Sequence, residues 1–269
     1  AAWEDVSGGV SFKQAGTNFT NSLLVGHSTT GTLDAATANT GVGIGAMNSI
    51  TTGDNNVAVG YGALEDATQG YDNVALGSQA GRNITTGLQN IAMARSSLYA
   101  LTTGDRNIAI GYGSGFSITG NDNITMGHQS SRYNAAGTMN VALGYEALEG
   151  VSGNDHSYNT ALGSRSNELV TTGGYNVTVG YQSGDNLTTG SGNIIIGTGD
   201  AAAADSARTL KIVSYDGSST TNHIISDSSG NMTLAADLTI GDDLLLDSDS
   251  CVLKFGDDQD VTLTHTDGT

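Results

Sequence analysis

A five-residue phrase, Asn–apolar–small–apolar–Gly, recurs along this chain at a nearly constant interval and leaves few folds open to it. It stands at 56–60, 73–77, 90–94, 107–111, 123–127, 140–144, 159–163, 176–180 and 193–197. Two degraded copies, "GVGIG" (41–45) and "SLLVG" (22–26), precede these and make about eleven units with a period near 17 residues. Read this way, the first two steps are unequal, from Ser22 to Gly41 and from Gly41 to Asn56. A fixed period of this size marks a repeat architecture. It is too short for a helical repeat, and it suits one coil of a parallel β-solenoid.

Other columns hold register with the final Gly. Three residues beyond it the side chain is small, as at Ala63, Ala80, Ser97, Ser114, Ser130 and Ala147. An apolar residue then precedes a Thr-Thr-Gly-like turn, as at Ile50, Ile84, Leu101, Val170 and Leu187. Each unit reads as short strand, Gly corner, second segment and turn. Residues two apart on a strand share a face. The pattern predicts Val57 and Val59 pointing into the coil, with Ala58 opposite. On that reading Ala58, Ala75, Ala92, Ala109 and Ala142 form an outer column that lets neighbouring rods approach closely.

Two ladders should carry the rod. Asn56, Asn73, Asn90, Asn107, Asn123, Asn140, Asn159, Asn176 and Asn193 are expected to hydrogen-bond along themselves or to the turns. Gly60, Gly77, Gly111, Gly127, Gly144, Gly163, Gly180 and Gly197 are expected to supply corner torsions that other residues resist. Coils stacked about 4.8 Å apart give a rod on the order of 50 Å long. Its interior is thin, so a single rod is marginal and side-by-side association is expected.

Composition agrees. The 269 residues include 39 Gly, no Pro, 4 Phe and 1 Trp. Pro would remove a ladder donor from each coil it entered. A formal net charge of −18 argues against binding a nucleic-acid backbone. Cys251 is the sole cysteine, which excludes a disulfide within one chain. No apolar run approaches the roughly 18 residues of a membrane-spanning helix, and no membrane insertion is expected. Ala1 is followed by no charged-then-apolar leader, so a processed start or a longer parent chain is expected.

The phrases "NNVAVGYGA" (55–63) and "MNVALGYEA" (139–147) resemble the head repeat of YadA-type trimeric autotransporter adhesins. The resemblance spans residues 22 to 197. It implies a left-handed, trimeric β-roll with an adhesive role. The units here are longer by the Thr-Thr-Gly turn, and in that respect are similar to repeats of bacteriophage tail fibres. Residues 231–269 alternate short apolar strands with Asp-rich turns and resemble the intertwined shafts of such fibres. Fibres of that kind often continue into a self-cleaving chaperone, of which nothing is seen here.

The outer columns hold the candidates for recognition. Directly after the Gly position stand His27, Tyr61, Arg95, Tyr112, His128, Tyr145 and Tyr181. Amphipathic rings there suit sugar or protein contacts, or the seam of a trimer. Five residues after the Gly stand Glu65, Arg82, Tyr99, Phe116, Arg132, Glu149, Glu168 and Asp185. Glu65 should pair with Arg82, Arg132 should pair with Glu149, and Tyr99 should stack on Phe116. The like charges Glu149, Glu168 and Asp185 form a solvated acidic edge, a cation site, or a contact to a basic group on another chain. Glu149 and Glu168 have the spacing of a retaining glycosidase pair, but nothing marks one as an acid. The turns 241–243 and 256–260 are calcium-friendly without a full ligand pattern.

The expected organisation is therefore an N-terminal lead-in (1–20), a β-roll (21–199), a small β transition segment (200–230) and an intertwined triple-β shaft (231–269). The fold class is all-β, a trimeric parallel β-solenoid of about eleven 17-residue coils followed by a β-rich shaft. The expected role is a structural, adhesive fibre without catalytic residues, cofactor or firm metal site. A bacteriophage tail fibre that attaches to a host receptor on its surface, protein or glycan, fits best. Its partners would be two further copies of itself and other virion tail proteins. A bacterial trimeric surface adhesin and a polysaccharide-degrading tailspike are the alternatives.

Overall fold

A computed structural model describes the backbone at residues 3–6, 10–16, 19–25 and 34–234, and the side chains at 22–25 and 34–234. The chain divides into Ala1–Ala235 and Ala236–Thr269. The second unit lies outside the described residues, and with it nearly all of the expected shaft, both Asp-rich turns and Cys251. His27 also lies outside them.

Within Ala1–Ala235 the chain is an all-β parallel solenoid, and no helix occurs among the described residues. Ten three-residue strands, Thr40–Val42 through Ile194–Ile196, stack in parallel with one register throughout. Phe19–Val25 precedes them, also in parallel, and Leu210–Tyr215 follows them. Both ends then turn antiparallel. Val10–Gly16 and Trp3–Val6 extend one end, and the hairpin partner Thr220–Ser226 with Met232–Leu234 extends the other. These strands cover edges that a bare solenoid would leave open to further pairing.

The register corrects the reading of the early repeats. Thr40, Gly41 and Val42 lie opposite Val57, Ala58 and Val59, and opposite Leu23, Leu24 and Val25 on the other side. The second copy is therefore "NTGVG" (39–43), not "GVGIG" (41–45). Asn39 joins the Asn column, and the corner Gly is Gly43. The steps from Ser22 to Asn39 to Asn56 become equal.

The Asn column is fully buried and bonds both along itself and to the turns. Asn73 donates its backbone N–H and Nδ2–H to Oδ1 of Asn56, at 3.0 and 3.1 Å, and donates Nδ2–H to the Gly87 carbonyl at 2.8 Å. The ladder begins at the hydroxyl of Ser22, which accepts from Asn39 N–H. It ends at Thr209, which donates N–H and hydroxyl to Oδ1 of Asn193. The Thr-Thr-Gly turns are grips. The N–H groups of Thr51, Thr52 and Gly53 all donate to the Thr68 carbonyl, and the Thr51 hydroxyl adds a fourth bond. One carbonyl thus collects donors that a surface turn would leave to water.

Glycine recurs at two positions in most coils, for different reasons. The corner column holds φ between 131° and 143° at Gly60, Gly111 and Gly144. In the turn column φ is ordinary, but a Cβ at Gly87 would lie 2.6 Å from the Gly104 carbonyl oxygen, because adjacent coils nearly touch there. Left-handed torsions are also taken by non-Gly residues such as Asn55, Leu64 and Gln79.

The strand faces are reversed from expectation. Ala58, Ala75, Ala92, Ala109, Ala142 and Ala161 are buried, whereas Val59 is 40% exposed and Ile194 42%. The strands are three residues long and turn at once, so the interior is too narrow for two β-branched side chains per coil. Small columns face each other across it. The Ser114 hydroxyl donates to Thr125 Oγ1 at 2.8 Å, and the Ser166 hydroxyl to Thr178 Oγ1 at 2.7 Å. Bulk comes instead from the second segment and the turn, through Ile50, Leu64, Ile84, Leu98, Leu101, Ile118, Leu148 and Leu187. Larger side chains enter the inward column at Thr125, Thr178 and Ile195, also fully buried, each with a serine hydroxyl bonded to its carbonyl across the interior.

Candidate functional site

Because the Val and Ile side chains point outward, the solenoid carries an apolar face. One column runs Val57, Val74, Ile91, Ile108, Ile124 and Val141. The other runs Val59, Leu76, Met93, Ile110, Met126 and Leu143. All are half-buried or exposed. Ten strands at about 4.8 Å make a continuous stripe on the order of 45 Å long, well beyond the scattered apolar residues of an ordinary surface.

Around the glycine corner stands the ring column. Tyr61, Tyr112, Tyr145 and Tyr181 are all exposed, between 45% and 59%. Three rings form an unbroken stack, with Tyr112 to His128 at 5.2 Å and His128 to Tyr145 at 5.3 Å. Arg95 caps one end at 5.9 Å from Tyr112, and Arg165 the other at 6.0 Å from Tyr145. Tyr61 and Tyr181 are set apart from this stack by the coils of Ser78 and Ser164. A second stack, Tyr158 on Tyr175 at 4.6 Å, flanks the opposite edge of the apolar face. The repeat phrase did not reveal it, because its column varies freely.

One step further on lies the mixed column. Glu65 meets Arg82 at 2.7 Å, and Tyr99 stacks on Phe116 at 5.0 Å with rings 2° from parallel, both as expected. Arg132 does not reach Glu149. No ion pair joins them, and the guanidinium lies over the Tyr133 ring at 4.8 Å. Between these columns a cleft of about 50 Å³ is lined by Ser96, Tyr112, Gly113, Phe116, Gln129 and Arg132.

Glu149, Glu168 and Asp185 do follow one another, and Glu146, which the sequence reading missed, joins them. Oxygens of Glu146, Glu149 and Glu168 lie within 4.8 Å of one another. Arg165 partly compensates, with Nε 3.0 Å from Glu146 and 3.7 Å from Glu168. Partial burial raises the pKa of Glu149, with help from Glu146 and Glu168, and raises that of Glu168. Asp185 is pushed up to about 7 by burial and by a hydrogen bond shared with Asp200. The cluster can accept a proton or a cation, and one arginine already occupies part of it.

The fold and these surfaces define a parallel β-solenoid with an apolar flank and a ring-bearing edge. No protein-family model matches the chain, and no curated protein or solved structure matches it significantly.

Proposed function

We propose that the chain is a homotrimeric structural and adhesive fibre, in role a bacteriophage tail fibre that projects from a virion and attaches to a host surface receptor. The outward apolar stripe carries this reading. A face of such length is costly in water, at roughly 25 cal/mol per Å². Its ridges repeat at the coil spacing, so another copy of the same solenoid, aligned in parallel, matches it along the full length. Cyclic symmetry brings the same stripe of each copy to one axis. The three-fold number comes from the adhesin-like repeat.

The mechanism is mechanical. Coil-to-coil hydrogen bonds stiffen each rod, association covers the stripe, and the outer columns face the surroundings in three copies. Weak contacts repeated on three chains add by multivalency. The test is attachment: purified protein should bind cells of a susceptible host and compete with virions for them. Absence of binding to any host that the virion infects would contradict the role.

A further inference from the structure

The basic residues of this acidic chain are unevenly placed. The chain has only nine Lys and Arg against 27 Asp and Glu. Arg82, Arg106 and Arg165 are committed to carboxylates. Arg95 and Arg132 make no ion pair among the described residues, although they stand within two coils of each other on the ring-bearing edge. On the ring-bearing edge between them stand Tyr99, Tyr112, Phe116, His128 and Gln129, and the carboxylates of these coils, Asp105 and Asp122, are turned to Arg106. The cleft described above opens here.

We infer that this cleft binds one carboxylate-bearing sugar residue of a cell-surface glycan. Its volume of about 50 Å³ is that of one or two waters, enough for a planar carboxylate and too small for a whole sugar ring. Arg132 lines the cleft and its guanidinium carbon stands 4.8 Å from the Tyr133 ring centroid, a contact that leaves its N–H groups to grip a carboxylate in two places. Gln129 and Ser96 add polar groups to the lining. The faces of Tyr112 are taken by Arg95 and His128, so the wall offers ring edges and a phenol hydroxyl to the sugar outside the cleft. Glu149, one coil beyond Arg132, and the neighbouring Glu146 and Glu168 repel a second negative charge. The site therefore selects an isolated acidic sugar among neutral ones, and rejects a polyanion.

This inference rests on the attachment role proposed above, and the two can fail separately. Sialyllactose and a glucuronyl-galactose disaccharide are titrated against the full chain by calorimetry, with lactose, a polyuronate, glucose 6-phosphate and a glutamate-rich peptide as comparisons. At least one of the two carboxylated sugars should bind, and lactose should bind at least tenfold more weakly. Arg132→Gln should weaken binding tenfold or more, Arg132→Lys less, and Glu149→Gln should tighten it. These side chains are partly exposed, and unchanged melting of the variants confirms intact folding. Absence of binding by both carboxylated sugars would overturn the inference, as would equal binding of lactose, a preference for the phosphate or the peptide, or affinity unchanged in Arg132→Gln. Host attachment that survives Arg132→Gln removes this site while leaving the fibre role. Sugar binding without host attachment does the reverse.

Discussion

Asn107 donates both its backbone N–H and its Nδ2–H to Oδ1 of Asn90, at 2.9 and 3.2 Å, in a fully buried column. Its own Oδ1 accepts the same pair from Asn123. Truncating Asn107 leaves the Asn123 backbone N–H without its acceptor and frees the Gly120 carbonyl, while Asn90 Oδ1 keeps only the backbone N–H of residue 107. Asn107→Ala should cost about 3 kcal/mol, since each orphaned buried group costs about 1–3 kcal/mol. Urea unfolding measures it. Asn231→Ala, on an exposed turn, should cost far less.

Val59 and Ala75 separate the outer face from the inner one. Val59→Asp should leave the coil folded, because its side chain faces outward, and should weaken association. Ala75→Leu should destabilise the coil itself by about 1–3 kcal/mol through overpacking. Melting and sedimentation of both variants check this. The reverse pattern would restore the inward placement of Val59.

Ala94 occupies the corner column where the other coils have glycine, and holds φ at 89°. A side chain in that region is strained by about 1–3 kcal/mol. Ala94→Gly should raise stability by about 1 kcal/mol, read as a higher urea midpoint with unchanged slope.

His156 fills a turn-glycine position, and its ring nitrogens are buried without partners. Burial pushes its pKa down to about 4. The unfolded chain then binds a proton that the fold excludes, so stability falls as pH drops from about 6.5 to about 4, by about 3 kcal/mol at the limit. Asp185 acts in the opposite sense. Its pKa lies above the ordinary value, so stability falls as pH rises from about 4 towards about 7. Solvent screening weakens that contribution. The two slopes oppose between pH 4 and 6.5. Asp185→Asn should therefore steepen the rise of stability with pH, and His156→Gln should abolish or reverse it.

Much of the rod was legible because its ladders repeat the same residue in the same column. The Asn of the repeat announces a bond made at every level, and the Thr-Thr-Gly turn one made in five of the coils. The strand face was not legible from alternation, which separates two faces without saying which lies inside. Coil width decides that, and it emerges only when Ala58, Ala63 and Leu64 are seen sharing one narrow interior. Arg132 shows the same limit on the surface. Column position put Glu149 next to it, but side-chain direction took it to Tyr133. Glu146 escaped notice because its column elsewhere holds Gly62, Gln79 and Gly113.

The outward stripe through Val59, Leu76 and Met93 makes association the central claim, and sedimentation equilibrium of the purified chain tests it most directly. The mass should be three times that of the 27.2 kDa chain and should fall on Val59→Asp without loss of the fold. A stable monomer at micromolar concentration would contradict it.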